Sequence, residues 1–266
     1  MSDTTGTPQI AALHRTLAML DAVIGDGGTR SVAAIARTIG MPVATAHRQV
    51  ATLVAAGYLA RSPGGRHVAG PRLLNLVHQL DEKQVITHAA APVLHRLAAR
   101  LGSIVQLGTL ENDMVTYRLK TGRGAQDLFT RTGMQLEAYC SGIGKVLLAH
   151  LPHAERQAYL AAGPFVALTA RTMTDPSVLA QALEIVRGQG YARDDGEIAE
   201  DLMCLAVPIH TPDARVPAAI SVSQRSGHSR NLAPDVILPV LVDAAREIET
   251  VAFGAKRRSL ADAPAV

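Results

Sequence analysis

Apolar residues recur at spacings of three and four from Ile10 through Leu13, Leu17, Leu20, Val23 and Ile24, which predicts an amphipathic helix. The breaker-rich run Gly25-Asp26-Gly27-Gly28 ends it. Ser31 suits the N-cap of a short second helix with the stripe Val32, Ile35, Ala36 and Ile39, and Gly40 stands where its C-cap falls. Pro42 opens a third helix at its first position, running to Leu53 and Ala56 before Gly57 stops it. Tyr58-Leu59-Ala60-Arg61, the turn Ser62-Pro63-Gly64-Gly65 and Arg66-His67-Val68-Ala69 then read as a two-stranded hairpin. Three helices and a hairpin in this order predict a winged helix-turn-helix domain over residues 1–70.

Gly70-Pro71 breaks the chain, and a linker helix is expected over 71–83, followed by a second helix over 86–99 with Ala90, Val93, Leu94 and Leu97 on one face. Strands fit 105–109 and 115–120 around the turn Glu111-Asn112-Asp113, and again 205–209 and 218–223. Helices fit 144–150, 154–161, 178–189 and 234–252. Strands and helices mix without a regular βαβ repeat, which predicts an α+β fold for a body spanning 84–254. Residues 255–266 are expected to form a mobile tail.

A length of 266 residues suits two domains, and 48% hydrophobic against 18% charged residues suits a folded chain. No stretch reaches the ~18 apolar residues of a membrane span, so no membrane partner is expected. No basic patch and apolar core mark the N-terminus as a secretory leader, which predicts a cytoplasmic location. The net charge of +3 is unevenly placed. Six Arg and three Asp in the first 70 residues carry all of it, and the remaining residues hold 20 acidic and 20 basic groups. A basic first domain and a neutral body suggest a polyanion bound at one end.

On the third helix Ala46, Val50 and Leu53 are expected to face inward, leaving Ala44, Thr45, His47 and Arg48 to face out near its N-terminus. That is the part of a recognition helix that meets base edges and phosphates of double-stranded DNA. Arg48 suits guanine or phosphate, Thr45 a phosphate or a thymine methyl, and His47 either. Arg61 and Arg66 flank the wing, where the backbone or a narrow minor groove attracts cations. The plainer alternative is a helical module that only mediates dimerisation, attached to a metabolite-binding protein or an enzyme.

Enzyme chemistry finds little support, and neither a metal nor a cofactor is expected. Gly144-Lys145-Val146 lacks the Ser or Thr that follows Lys in a phosphate-binding loop, and Tyr139 stands where that loop needs Gly. His150-Leu151-Pro152-His153 does not place two His four apart on a helix. Two cysteines, Cys140 and Cys204, exclude a disulfide framework, and neither has a local base to activate it. Gly142-Ile143-Gly144 instead lead into a helix whose first N–H groups suit a carboxylate. Ser221 and Ser223 are two apart on a strand, so their hydroxyls share a face. Lys145 is expected to cover a helix surface with its stem.

Several ordered motifs together resemble the IclR family of bacterial transcriptional regulators. In the first domain they are the Ala36 to Gly40 turn, Thr45-Ala46-His47-Arg48, Gly57-Tyr58-Leu59 and the hairpin leading to Gly70. In the second they are Cys140-Ser141-Gly142-Ile143-Gly144-Lys145-Val146-Leu147-Leu148-Ala149, Leu168-Thr169 with Thr172, Gly190-Tyr191-Ala192-Arg193-Asp194-Asp195-Gly196-Glu197, and Cys204-Leu205-Ala206-Val207-Pro208. The resemblance implies a GAF-like effector-binding domain with an antiparallel sheet, assembled as a homodimer or homotetramer on a palindromic operator. It also implies an effector site at Gly142, Ile143, Ser221, Ser223 and Cys204, with Asp194 as a polar contact. Leu202 would form a wall, and Leu128 and Leu136 an apolar patch. Such a site suits a small organic acid, hydroxylated aromatic acids included. Each residue also has a plainer role, Cys204 as a small core side chain above all. Asp201 stands where the family has a small glycine before the cysteine segment, and is expected to add volume and charge near the pocket.

Overall fold

The structure is a computed structural model and describes residues 10–225 and 231–254. The expected tail at 255–266 lies outside the described residues. Two units divide the chain between Asp81 and Glu82.

The first unit runs α1 (Ala11–Asp26), α2 (Val32–Thr38), α3 (Val43–Ala55), β1 (Leu59–Ser62), β2 (Arg66–Ala69) and α4 (Pro71–Gln79). Met19, Leu20 and Val23 of α1 meet Val32, Ile35 and Ala36 of α2 and Ala46, Val50 and Leu53 of α3 in one core, closed by Leu59 of β1. Ser31 caps α2, its hydroxyl accepting from the Ala34 N–H. Gly40 has φ +67°, the left-handed turn between α2 and α3 that glycine adopts without strain. Asp26 joins α1 to α2. Its carboxylate accepts the Thr29 and Arg30 N–H groups at 2.8 and 2.7 Å and pairs with the Arg30 guanidinium, which holds its pKa well below the usual carboxylate range. Antiparallel pairing of Leu59 with Ala69 through Ser62 with Arg66 builds the wing.

The linker helix differs from expectation. It ends at Gln79, not at residue 83, because Leu80 turns extended (φ −89°, ψ 127°) and its N–H turns back to the Val77 carbonyl. Glu82 and Lys83 belong to the next helix, where Glu82 sits in the first turn and complements the helix dipole. None of the α4 residues is buried.

The second unit runs α5 (Glu82–Leu101), β3 (Ile104–Glu111), β4 (Met114–Thr121), β5 (Gln135–Glu137), α6 (Gly142–Ala149), α7 (His153–Ala161), α8 (Pro176–Gln189), β6 (Ala192–Asp195), β7 (Leu202–Ile209), β8 (Ala218–Arg225) and α9 (Pro234–Phe253). Its six strands form one sheet in the order β5-β4-β3-β8-β7-β6, each antiparallel to its neighbours. Alternation along the strands sorts the two faces. Val105, Leu107, Leu205, Val207, Ile209, Ala218, Ile220 and Val222 pack against α5 and α9. The intervening Ala206 and Ala219 pack with α6, α7 and α8. The same parity turns Gln106, Cys204, Ser221 and Ser223 toward α6. Two short edge strands, β5 and β6, were not expected.

Candidate functional site

In the first unit the inward and outward faces of α3 separate as the apolar spacing requires. Ala46, Val50 and Leu53 are buried, Ala44, His47 and Arg48 exposed, and Thr45 half-buried. Arg61 on β1 and Arg66 on β2 are exposed, and Arg66 also reaches the Gly28 carbonyl at 3.4 Å. Between these cations His67 is pushed below the usual imidazole range, first by burial and then by the charges of Arg61 and His47. Arg48 near the start of α3 and Arg61 and Arg66 on the wing are the exposed arginines of these elements.

In the second unit the sheet, α6 and the segments around it enclose a cavity of about 10 Å³. Ser141 caps α6 and its hydroxyl accepts the Gly144 N–H at 3.0 Å, while the Gly142 and Ile143 N–H groups precede the first intrahelical bond. A side chain at Gly144 would place its Cβ 2.0 Å from the Ala138 carbonyl oxygen, so glycine alone lets the helix begin there. Strand pairing aligns the opposite wall. Gln106 stands across from Ser221, Ser223 across from Cys204, and Cys204 across from Asp194.

Hydrogen bonds link these residues. The Cys204 thiol lies 3.2 Å from the Ser223 hydroxyl, which donates to Gln106 Oε1 at 3.2 Å, and Gln106 Nε2 donates to Thr130 at 2.8 Å. Asp194 is wholly buried, and its Oδ1 accepts the Glu197 N–H at 2.8 Å. Its Oδ2 has no hydrogen-bond partner among the described residues. Burial, reinforced by the Glu197 charge, pushes the Asp194 carboxyl up to about 6. Burial raises Glu197 too, although Lys145 pairs with it and opposes the shift. Burial also raises the Cys204 thiol and the Tyr117 phenol, and pushes Cys140 up to about 12. Both thiols are therefore neutral and unsuited to nucleophilic attack.

The Bacterial transcriptional regulator IclR C-terminal domain matches residues 77–250, and the IclR helix-turn-helix domain matches residues 12–63. The chain belongs to the IclR family of bacterial transcriptional regulators. Among this IclR-family protein's relatives, the Pca regulon regulatory protein of Pseudomonas putida is 31% identical over 254 residues, covering 94% of this chain and 87% of that one. The regulator XynR of Escherichia coli is 31% identical over 218 residues, covering 81% and 86%. Among solved structures, the Agobacterium tumefaciens repressor BlcR superposes with a TM-score of 0.69 at 26% identity, covering 91% of this chain and 97% of that one. An IclR homolog of Microbacterium hydrocarbonoxydans, solved in complex with 4-hydroxybenzoate, superposes with a TM-score of 0.60 at 28% identity, covering 92% and 100%. By name the first two of these relatives are regulators and BlcR is a repressor. No helix among the described residues is long and apolar enough to cross a membrane.

Of the effector residues expected in this IclR-family chain, Gly142, Ile143, Asp194, Leu202, Cys204 and Ser221 line the cavity together. Ser223 adjoins it through Cys204. Leu128 is not among the lining residues and packs with Leu202 and Ile104 in a small cluster. Leu136 does not reach the cavity: it sits on β5 and packs against the α6 side of the sheet. Two further expectations are corrected. Lys145 is not on a helix surface, because α6 is buried on every side and its ammonium turns inward to Glu197 and to the Arg193 carbonyl at 2.6 Å. Asp201 does not enter the pocket. It is exposed, 3.7 Å from the Arg225 guanidinium, which in turn donates to the Asp127 carbonyl. Gln106, Tyr117, Phe129, Thr130, Ser141 and Ile198 also line the cavity and were not anticipated. The polar Gln106 inside an apolar strand was a readable signal for one of them.

Proposed function

We propose that this regulator binds a palindromic double-stranded DNA operator as a homodimer or homotetramer in the cytoplasm, under the control of a small organic acid. Residues 1–70 supply the DNA surface, with Ala44, Thr45, His47 and Arg48 in the major groove and Arg61 and Arg66 on the backbone beside it. The second unit, from Glu82 to Gly254 among the described residues, holds the effector, and α4 with the turn that follows it carries the change between them. One observation supports the effector class most directly. The Gly142 and Ile143 N–H groups, which precede the first intrahelical bond of α6, and the Ser221 hydroxyl belong to residues that line one cavity with Leu202, Ile198 and Phe129, a carboxylate anchor beside an apolar wall. The complex of the Microbacterium relative with a hydroxylated aromatic acid agrees with that chemistry.

A cavity of about 10 Å³ holds about one water, so an aromatic acid needs lining side chains to move. Phe129, 43% exposed, is the aromatic with room to swing outward. A thermal-shift screen against aromatic and keto acids tests this. Binding to the native state raises the Tm by mass action, and Ser221→Ala should shrink the rise while leaving the unliganded Tm near wild type. A rise of equal size in the variant would place the site elsewhere.

A further inference from the structure

The effector cavity has an acid in its wall, and no Lys, Arg or His is among its described lining residues. Asp194 Oδ2 is buried without a hydrogen-bond partner among the described residues. The titratable groups facing Asp194 come from every element around it: Lys145 from α6, Cys140 from the turn before α6, Glu197 from the turn after β6, Cys204 from β7 and Tyr117 from β4. Asp195, its neighbour on β6, points to the other face and is exposed. Lys145 is the single cation of the set, and it is already paired with Glu197 and bound to the Arg193 carbonyl. The two thiols and the phenol are neutral. Lys120 of β4 donates to the Leu128 carbonyl at 2.9 Å and to the Thr130 carbonyl, and no cation among the described residues is paired with an ionised Asp194. Gly142 and Ile143 line the same cavity as Asp194, so a carboxylate seated on their N–H groups shares that small space with Oδ2. Two carboxylates that close in a dry site cannot both remain ionised.

We propose that Asp194 takes up a proton when a carboxylate effector binds, and donates its Oδ2–H to the effector. The proposal rests on the carboxylate reading above. The proton comes from solvent and ends on Oδ2, and no bond between heavy atoms changes. Two consequences follow. The site selects carboxylates by accepting them together with a proton, and uncharged analogues escape that requirement. Effector affinity also falls as pH rises, because Asp194 must be protonated against an increasing cost.

Calorimetric titration of the full chain tests this, with benzoate, 4-hydroxybenzoate and pyruvate as probes and benzamide as the uncharged control. Runs between about pH 6 and pH 8 in two buffers of different ionisation enthalpy report the protons exchanged. An acid that binds should take up close to one proton at about pH 7.5, and its Kd should weaken roughly tenfold per pH unit above neutrality. Benzamide, if it binds, should exchange none. Asp194→Asn, whose amide donates at every pH, should bind the same acid with no proton uptake and a flat profile. Acid binding by the wild type without proton uptake would overturn the proposal and point to Lys145 leaving Glu197 for the ligand. Undiminished uptake in Asp194→Asn would overturn it as well. Should that variant fail to fold, the contrast between acid and benzamide in the wild type decides alone. Failure of all three acids to bind would sink the carboxylate reading and this proposal with it.

Discussion

Arg48 is exposed near the start of α3, on the face that the buried Ala46, Val50 and Leu53 leave free. Arg48→Ala should weaken operator binding by about 1–3 kcal/mol, roughly 5- to 150-fold, if the guanidinium reads a base edge. Effector titrations of the same variant should be unchanged, because Arg48 lies in the other unit. Unaltered operator affinity at physiological salt would move the DNA surface off α3. Asp194 carries a prediction about the unliganded protein. Its carboxyl is raised from 3.8 to about 6, so between those values the folded chain holds a proton that the unfolded chain has released. Stability should therefore fall as pH rises through that window. Asp194→Asn should flatten the slope of Tm against pH, with Glu197, raised by the same burial, leaving a residual slope. An unchanged slope would contradict the burial described for this side chain. These charges were hard to read in advance, since Lys145 shows no sign of its counter-ion in the local sequence. Glu197 lies 52 positions away and meets it only because α6 is enclosed on all sides.

Elements with a full apolar period were legible. The core faces of α2, α3 and α5 are those that the spacing of Ile35, Val50 and Leu94 demands, and Ser221 and Ser223 share a sheet face as alternation requires. The strands β5 and β6 were not legible. At three and four residues they are too short for a period to stand out in the sequence, and the Arg193-Asp194-Asp195 run hides the alternation of buried and exposed positions that β6 has. Phe129 and Thr130 escaped notice because a loop has no period to reveal which side chains turn inward. In α1 the stripe was legible, but its burial is incomplete, with Ile10 67%, Leu13 55% and Leu17 49% exposed. The linker helix α4 extends the pattern, with Leu74 64% and Val77 62% exposed and none of its residues buried. If these side chains meet a second copy of the chain, Leu74→Glu with Val77→Glu should lower the oligomeric mass seen by sedimentation while leaving effector binding intact. An unchanged mass would remove α4 from the assembly interface.

For the whole molecule, the charge split and the fold division carry the argument together. The first seventy residues hold the entire net charge of +3, and they fall within the unit that ends at Asp81. The second unit is close to neutral and holds the cavity. A ligand in one unit alters DNA binding by the other only if it favours one arrangement of the protein over another. Coupling of this kind commonly amounts to about 1–3 kcal/mol, a change of roughly 5- to 150-fold in affinity. The most direct measurement is fluorescence anisotropy of a labelled fragment from upstream of the protein's own gene, titrated with protein at fixed salt in the presence and absence of benzoate, 4-hydroxybenzoate and pyruvate. The account predicts specific binding that at least one acid shifts severalfold, with Ser221→Ala abolishing the shift but not the binding. Specific binding that none of the acids changes, or an undiminished shift in Ser221→Ala, would contradict it.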